Sequence, residues 1–315
     1  MNLDFTHTAF LFPGQGSQAL GMGRELAARY QAARDTFAQA DDILGFDLSR
    51  CMWEGPEDAL NDTLNTQPAL YLHSVAAQRV LASLFPDSQP AFCAGHSLGE
   101  LSALTAAEAL PFEAGLRLVR RRGELMKRAG EIAPGGMAAI LGVDIPALEA
   151  VCAQASAPGE VVQVANDNCP GQVVLSGARP ALERALELAK AAGARRAVLL
   201  AVSIAAHSPL MASIQAEWDA AVAAAPIVDA RLPVISNITT RPVVAADDLR
   251  ADLRLQLTCR VRWTETIQFL RAKAVTTFLE LGSGNVLIGL LKRIDEGAAR
   301  WALGTPDDFE KLNSN

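Results

Sequence analysis

Apolar positions in this chain switch repeatedly between a strand period and a helix period. A short apolar run at 9–12 stops at Pro13-Gly14 and predicts a buried strand, after which a helical repeat runs from about 22 to 44. A second helical stretch covers about 67–84. The apolar run 91–94 then leads into Gly95-His96-Ser97-Leu98-Gly99, followed by helical patterns at about 98–107 and 111–129. From 135 to 202 six elements are predicted: strand 137–141, helix 146–154, strands 161–165 and 172–176, helix 180–192 and strand 197–201. The order βαββαβ is a ferredoxin-like signature. Helix 210–225, strand 233–236, helix 263–272, strand 277–281 and helix 286–294 complete the pattern, and a polar tail after about Asp307 is expected to fray.

The rhythm predicts an α/β protein in which a small lobe interrupts a larger one. Residues 1–133 and 204–315 form the expected large α/β domain, and 134–203 the ferredoxin-like insertion. The boundaries fall where turn-rich segments, Ala133-Pro134-Gly135-Gly136 and 203–209, can carry the chain across.

Composition narrows the function classes. Half of the 315 residues are hydrophobic and 20% are charged, which rules out global disorder. The net charge of −7 argues against a general nucleic-acid binder, so any anion must be held locally. The five cysteines are widely spaced and lack metal-ligand spacing, so they read as reduced core residues of a cytoplasmic protein with no metal site. Neither an export signal nor an apolar stretch long enough to span a bilayer is evident, so no membrane insertion is expected.

Gly95-His96-Ser97-Leu98-Gly99 fits G-x-S-x-G between a strand and a helix. In a nucleophile elbow the glycines allow the sharp turn that lifts the Ser97 hydroxyl over the sheet at a helix N-terminus. Free N–H groups there, including that of Leu98, can stabilise an oxyanion. A serine nucleophile at neutral pH needs a base, and the chain offers four histidines. His7 lies in a polar segment, His73 sits mid-helix, and His96 is turned away from Ser97 by the elbow itself. His207, in a loop of small residues, is left. Arg122 is the one cation inside the apolar arc of its helix, so it must meet either an internal carboxylate or an anionic ligand. The loop Phe12-Pro13-Gly14-Gln15-Gly16-Ser17-Gln18 matches a dinucleotide fingerprint only loosely; backbone N–H groups presented beside the elbow suit it better.

FPGQGSQ at 12–18, Gln67-Pro68-Ala69, GHSLGE at 95–100, Arg122-Gly123, NCPGQ at 168–172, His207 and the segment 280–289 together resemble the malonyl-CoA:acyl carrier protein transacylase family over almost the whole chain. The resemblance implies an α/β-hydrolase-like large domain with a ferredoxin-like insertion, and ping-pong acyl transfer in fatty acid biosynthesis. Ser97 would attack the malonyl thioester with His207 as base, and the Gln15 and Leu98 N–H groups would hold the oxyanion. The Gln256 carbonyl would orient His207, Arg122 would pair with the malonyl carboxylate, and Gln67, His96 and Asn168 would line the pocket. Malonyl-CoA and acyl carrier protein are the implied substrate and partner, with no permanently bound cofactor and a monomeric enzyme. Two positions depart from the family pattern. Ala205-Ala206 are smaller than usual before the His and leave room for an α-substituted malonyl unit, and Ser283 replaces a common Pro. A trans-acting polyketide acyltransferase, a serine hydrolase or thioesterase, and a non-catalytic carrier-binding scaffold are the rival readings. Arg117, Arg121, Arg195, Arg196 and Lys292 are candidates for meeting an acidic carrier.

Overall fold

A computed structural model describes residues 4–314. The strands are β1 (Thr8–Phe12), β2 (Phe92–Gly95), β3 (Gly135–Leu141), β4 (Val162–Cys169), β5 (Gln172–Ala178), β6 (Arg196–Leu199), β7 (Val234–Ile235), β8 (Pro242–Val243), β9 (Val261–Arg262), β10 (Thr277–Leu281) and β11 (Ala299–Leu303). They form a mixed α/β fold with two sheets. The first has the order β11-β10-β1-β2-β7-β8 and is parallel except for the β7–β8 edge. Strand β1 is buried at every residue, as a central parallel strand covered on both faces requires.

The second sheet has the order β6-β3-β5-β4-β9. Its first four strands pair antiparallel, and β3, β4, β5, β6 alternate with helices Ile145–Ala155 and Arg179–Ala191 in the βαββαβ order expected. Strand β9, from far downstream, adds in parallel to the edge of β4 through Asn166 and Asp167. A two-residue strand carries too little periodicity to be read in advance.

The structure differs from the sequence reading at several elements. The helical repeat at 22–44 is two helices, Arg24–Arg29 and Gln31–Leu44, separated by Tyr30 in an extended conformation. The break folds the first piece back, so that Gly23 lies against the Phe37 ring where a Cβ would clash. The helix expected from 67 starts at Thr63, capped by the Asp62 carboxylate, and runs through Pro68 to Leu84. Proline there cannot donate to the Leu64 carbonyl, and Arg120 Nη1 does so instead at 3.0 Å. The tail expected to fray is helix Pro306–Ser314, held by buried Phe309 and Leu312 three residues apart on one face. Cys93, Cys152 and Cys169 are buried free thiols, whereas Cys51 and Cys259 are only half-buried.

Helix Phe112–Ile132 buries Leu116, Leu118, Val119, Leu125 and Met126, and Arg122 among them. It packs on helix Thr63–Leu84, closely enough that a side chain at Gly123 would meet the Thr63 carbonyl. This contact aims Arg122 at the carboxyl ends of β1 and β2, where ligands of parallel α/β sheets gather.

Candidate active site

Strand β2 ends at Gly95, and the chain turns sharply into helix Gly99–Ala106. A Cβ on Gly95 would strike the Gly99 carbonyl carbon, and one on Gly99 would strike the Phe12 carbonyl of β1. The two glycines are therefore the condition for the turn. Ser97 sits at its apex with φ 53°, a conformation that costs an L residue energy and is kept by the bonds around it. Its N–H donates to Asn237 Oδ1 at 2.7 Å, while Asn237 Nδ2 donates to the Gly95 carbonyl at 2.7 Å.

His207 Nε2 lies 2.8 Å from Ser97 Oγ. On its other side Nδ1 faces two carbonyls, Gln256 at 2.9 Å and Cys259 at 3.1 Å. Carbonyls only accept, so Nδ1 carries the proton and Nε2 is left as the acceptor for the serine hydroxyl. Burial, and next the charge of Arg122, push the His207 pKa down to about 3. The ring is thus a neutral base. It too has positive φ, 57°, and its carbonyl is tied by Gln163 Nε2 at 2.7 Å.

Arg122 is 1% exposed and makes no ion pair among the described residues. Nη1 donates to Gln67 Oε1 at 2.9 Å, and Nη2 donates to Gln256 Oε1 at 2.8 Å and Ser97 Oγ at 3.1 Å, while Nε has no acceptor. Of the two partners open to it in the sequence, the internal carboxylate is missing from its direct contacts. A buried cation met only by neutral oxygens is a site prepared for an anion. Burial lowers its pKa only to about 10, so it stays charged at neutral pH.

The loop after β1 packs on the elbow: a Cβ on Gly14 would collide with the His96 carbonyl, and Gln15 Nε2 reaches Thr63 Oγ1 at 3.0 Å. The N–H groups of Gln15 and Leu98 donate to no protein group among the described residues. His96 turns away from Ser97, with Nε2 2.8 Å from Asn168 Oδ1 and its ring 5.5 Å from that of Trp263. Ser97, His207, Arg122, Gln67 and Gln256 are thus joined in one hydrogen-bonded cluster, with the Gly14–Gln15 loop packed on the elbow and the His96–Asn168 pair turned away from the hydroxyl. The remaining histidines are elsewhere: His7 is exposed beside Asp4, and buried His73 faces the Gly304 carbonyl. Of the surface cations, Arg117 pairs with Glu113 and Arg121 with Glu124 and Glu217, whereas Arg195, Arg196 and Lys292 are exposed.

Sequence reasoning missed the side chains of Gln256, Asn237, Gln163 and Glu100, and the Cys259 carbonyl. Glu100 had a signal, its place in GHSLGE. Asn237 had a weaker one, lying just past the carboxyl end of a strand. Gln163 and Cys259 had none.

Comparison with known proteins gives a consistent result. The family model described as "Acyl transferase domain" matches residues 9–295. The malonyl CoA-acyl carrier protein transacylase of Bacillus subtilis (strain 168) is 44% identical over 304 residues, 96% of this chain and 95% of that one. An acyl carrier protein S-malonyltransferase structure from Vibrio cholerae O1 biovar eltor superposes with TM-score 0.94 at 41% identity, covering 98% of this chain and all of the other. A malonyl-transacylase solved with its type II PKS acyl-carrier protein gives TM-score 0.93 at 40% identity, over 98% and 99% of the two chains. The chain belongs to the acyl transferase family, in its malonyl CoA-acyl carrier protein transacylase branch.

Proposed function

We propose that the chain moves a malonyl group from malonyl-CoA to the phosphopantetheine thiol of an acyl carrier protein in fatty acid biosynthesis, through an ester on Ser97. The observation that carries this is the contact of one hydroxyl with both a neutral imidazole, His207, and an unpaired buried guanidinium, Arg122. His207 Nε2 takes the Ser97 proton as Oγ attacks the thioester carbonyl. The oxygen that becomes negative is met by the N–H groups of Gln15 and Leu98, the latter at the N-terminus of helix Gly99–Ala106. His207 then gives its proton to the departing CoA sulfur. In the second half, the carrier thiol loses its proton to His207 and attacks the ester, and His207 passes that proton to Ser97 Oγ as the ester bond breaks. The Gln256 and Cys259 carbonyls take the place of a triad carboxylate in orienting the ring. Arg122 holds the malonyl carboxylate, and Gln67, His96 and Asn168 complete the pocket wall.

The architecture proposed with this function is an α/β-hydrolase-like domain, 1–133 and 204–315, with a ferredoxin-like insertion at 134–203. The parallel order β10-β1-β2-β7 and the antiparallel order β6-β3-β5-β4 support it. Free cysteines and a net charge of −7 support a cytoplasmic enzyme that binds no nucleic acid. No helix of the described residues is long and apolar enough to cross a membrane. A monomer with no resident cofactor is part of the same proposal.

Transfer is useful only if the ester outlives the wait for a carrier. The malonyl adduct, followed by intact mass, is expected to persist in buffer and to vanish quickly on addition of holo carrier protein. Rapid release of free malonate regardless of carrier would favour the hydrolase reading. Fatty-acid and polyketide carriers compared in the same assay assign the pathway, and α-methyl malonyl-CoA tests the space beside buried Ala205 and Ala206.

The base also fixes the pH dependence. His207 works only when neutral, and its lowered pKa keeps it neutral as the pH falls past 6.5, the ordinary value. kcat/KM for malonyl-CoA is therefore expected to stay flat down to about pH 5 and to fall only below that. An acid limb centred near 6.5 would show that the free enzyme does not hold His207 in this buried, deprotonated state.

A further inference from the structure

Glu100 lies in the first turn of helix Gly99–Ala106, is 3% exposed, and has no part in the chemistry above. Its Oε1 accepts from the Asn237 backbone N–H at 3.3 Å, and its Oε2 accepts a short hydrogen bond from Gln256 Nε2. Both partners touch the machinery. Asn237 holds the Ser97 N–H and the Gly95 carbonyl, the two ends of the elbow. Gln256 donates to the Ser97 carbonyl at 3.0 Å, accepts from Arg122 Nη2, and offers its own carbonyl to His207 Nδ1.

We propose that Glu100 is a positioning residue for acyl transfer: one buried carboxyl that, through Gln256 and Asn237, sets the nucleophile, the base and the guanidinium together. The reason for an acid at this place is the orientation of the Gln256 amide. Arg122 can only donate, so it claims Oε1; the amide nitrogen must then find acceptors, and these are Glu100 and the Ser97 carbonyl. If Gln256 flipped, Arg122 would face an NH2 group. Glu100 prevents the flip because both of its oxygens accept.

Burial, and next the neighbouring Asp252 one turn before Gln256, push the Glu100 pKa well up. Each oxygen of a carboxyl group can accept, and here each one does. An amide nitrogen cannot, so glutamine is not an equivalent despite its shape.

The proposal rests on the transacylase reading for its readout, single-turnover acylation of Ser97 by malonyl-CoA and by acetyl-CoA. Glu100→Gln leaves one acceptor oxygen for two N–H donors, and malonyl acylation is expected to slow by about 10- to 100-fold. Acetyl acylation should slow less, because acetyl needs the elbow and base in place but not Arg122. Adding Glu100→Gln to Gln256→Ala should cost clearly less than the two separate losses multiplied together, since the two share the Gln256 arm and only the Asn237 arm is left to lose. Glu100→Asp keeps both acceptor oxygens on a shorter stem and should recover part of the malonyl-to-acetyl ratio; it also stands in if Glu100→Gln does not fold. The proposal is overturned if wild type acylates and Glu100→Gln matches it within about twofold. It is equally overturned if both substrates fall alike and the loss adds fully to that of Gln256→Ala, the pattern of a merely structural residue. Wild type that takes no acyl group would instead bring down the transacylase reading itself.

Discussion

Ser97→Ala is expected to abolish the malonyl adduct and to lower turnover by on the order of 10⁶-fold, the scale on which loss of a nucleophile acts in a serine enzyme. The size follows from the geometry. Among the described residues Oγ is the one hydroxyl hydrogen-bonded to the imidazole, and the Gly95 and Gly99 contacts leave no slack in the turn that holds it there. Binding should survive, because Arg122 loses only the Ser97 hydroxyl and keeps Gln67 and Gln256, and the Gln15 and Leu98 N–H groups are untouched. Mutant protein should therefore still retain malonyl-CoA in a binding assay while intact mass shows no covalent product. A persistent adduct in Ser97→Ala would place the acyl group on another residue and remove the basis of the mechanism.

Arg122→Ala should invert the substrate preference. In the intact site the guanidinium is dry, charged and met by three neutral oxygens, those of Gln67, Gln256 and Ser97. A malonyl carboxylate supplies the missing negative charge through charge-assisted hydrogen bonds, and acetyl does not. Truncating one side of such a buried pair costs about 2 to 5 kcal/mol, roughly 30-fold to several-thousand-fold in kcat/KM for malonyl-CoA. Acetyl transfer should hold or rise, since acetyl-CoA no longer faces an unpaired cation. Arg122→Lys should restore only part of the malonyl rate, a point charge being a poor copy of the planar fork. Equal losses on both substrates, with a lower thermal midpoint, would mean that Arg122 serves the fold rather than the substrate.

The parts of the site that were legible in the sequence are those whose chemistry is local or scarce. Ser97 was marked by two glycines at fixed offsets, His207 by elimination among four histidines, and Arg122 by a phase conflict on an otherwise regular helix. Amides carry no such marks. Gln256, Asn237 and Gln163 acquire their roles only when helix Ala246–Gln256, the turn after β7 and the edge strand β4 converge. That helix was itself unread: five of its eleven residues are Asp or Arg, and its inner face is only Leu249, Leu253 and Gln256. In the fold, long elements with steady periods were placed correctly and β7 fell inside the strand read at 233–236, while β8 and β9, at two residues each, fell below any window. The break at Tyr30 escaped because the apolar period passes through it; packing of Gly23 on Phe37, a tertiary contact, decides it.

Gln163 stands on β4 of the antiparallel sheet, yet its amide grips the carbonyls of His207 and Thr258, which border the other sheet's machinery. A few residues on, β4 is joined by β9, which comes from the far side of the chain. Stitched at these two places, the antiparallel sheet cannot shift on its own without pulling on the backbone that carries the imidazole. The base is thereby seated by both sheets: removing the smaller one would take away the Gln163 amide that ties the His207 carbonyl, so what resembles an appendage is a keystone of the imidazole's seat.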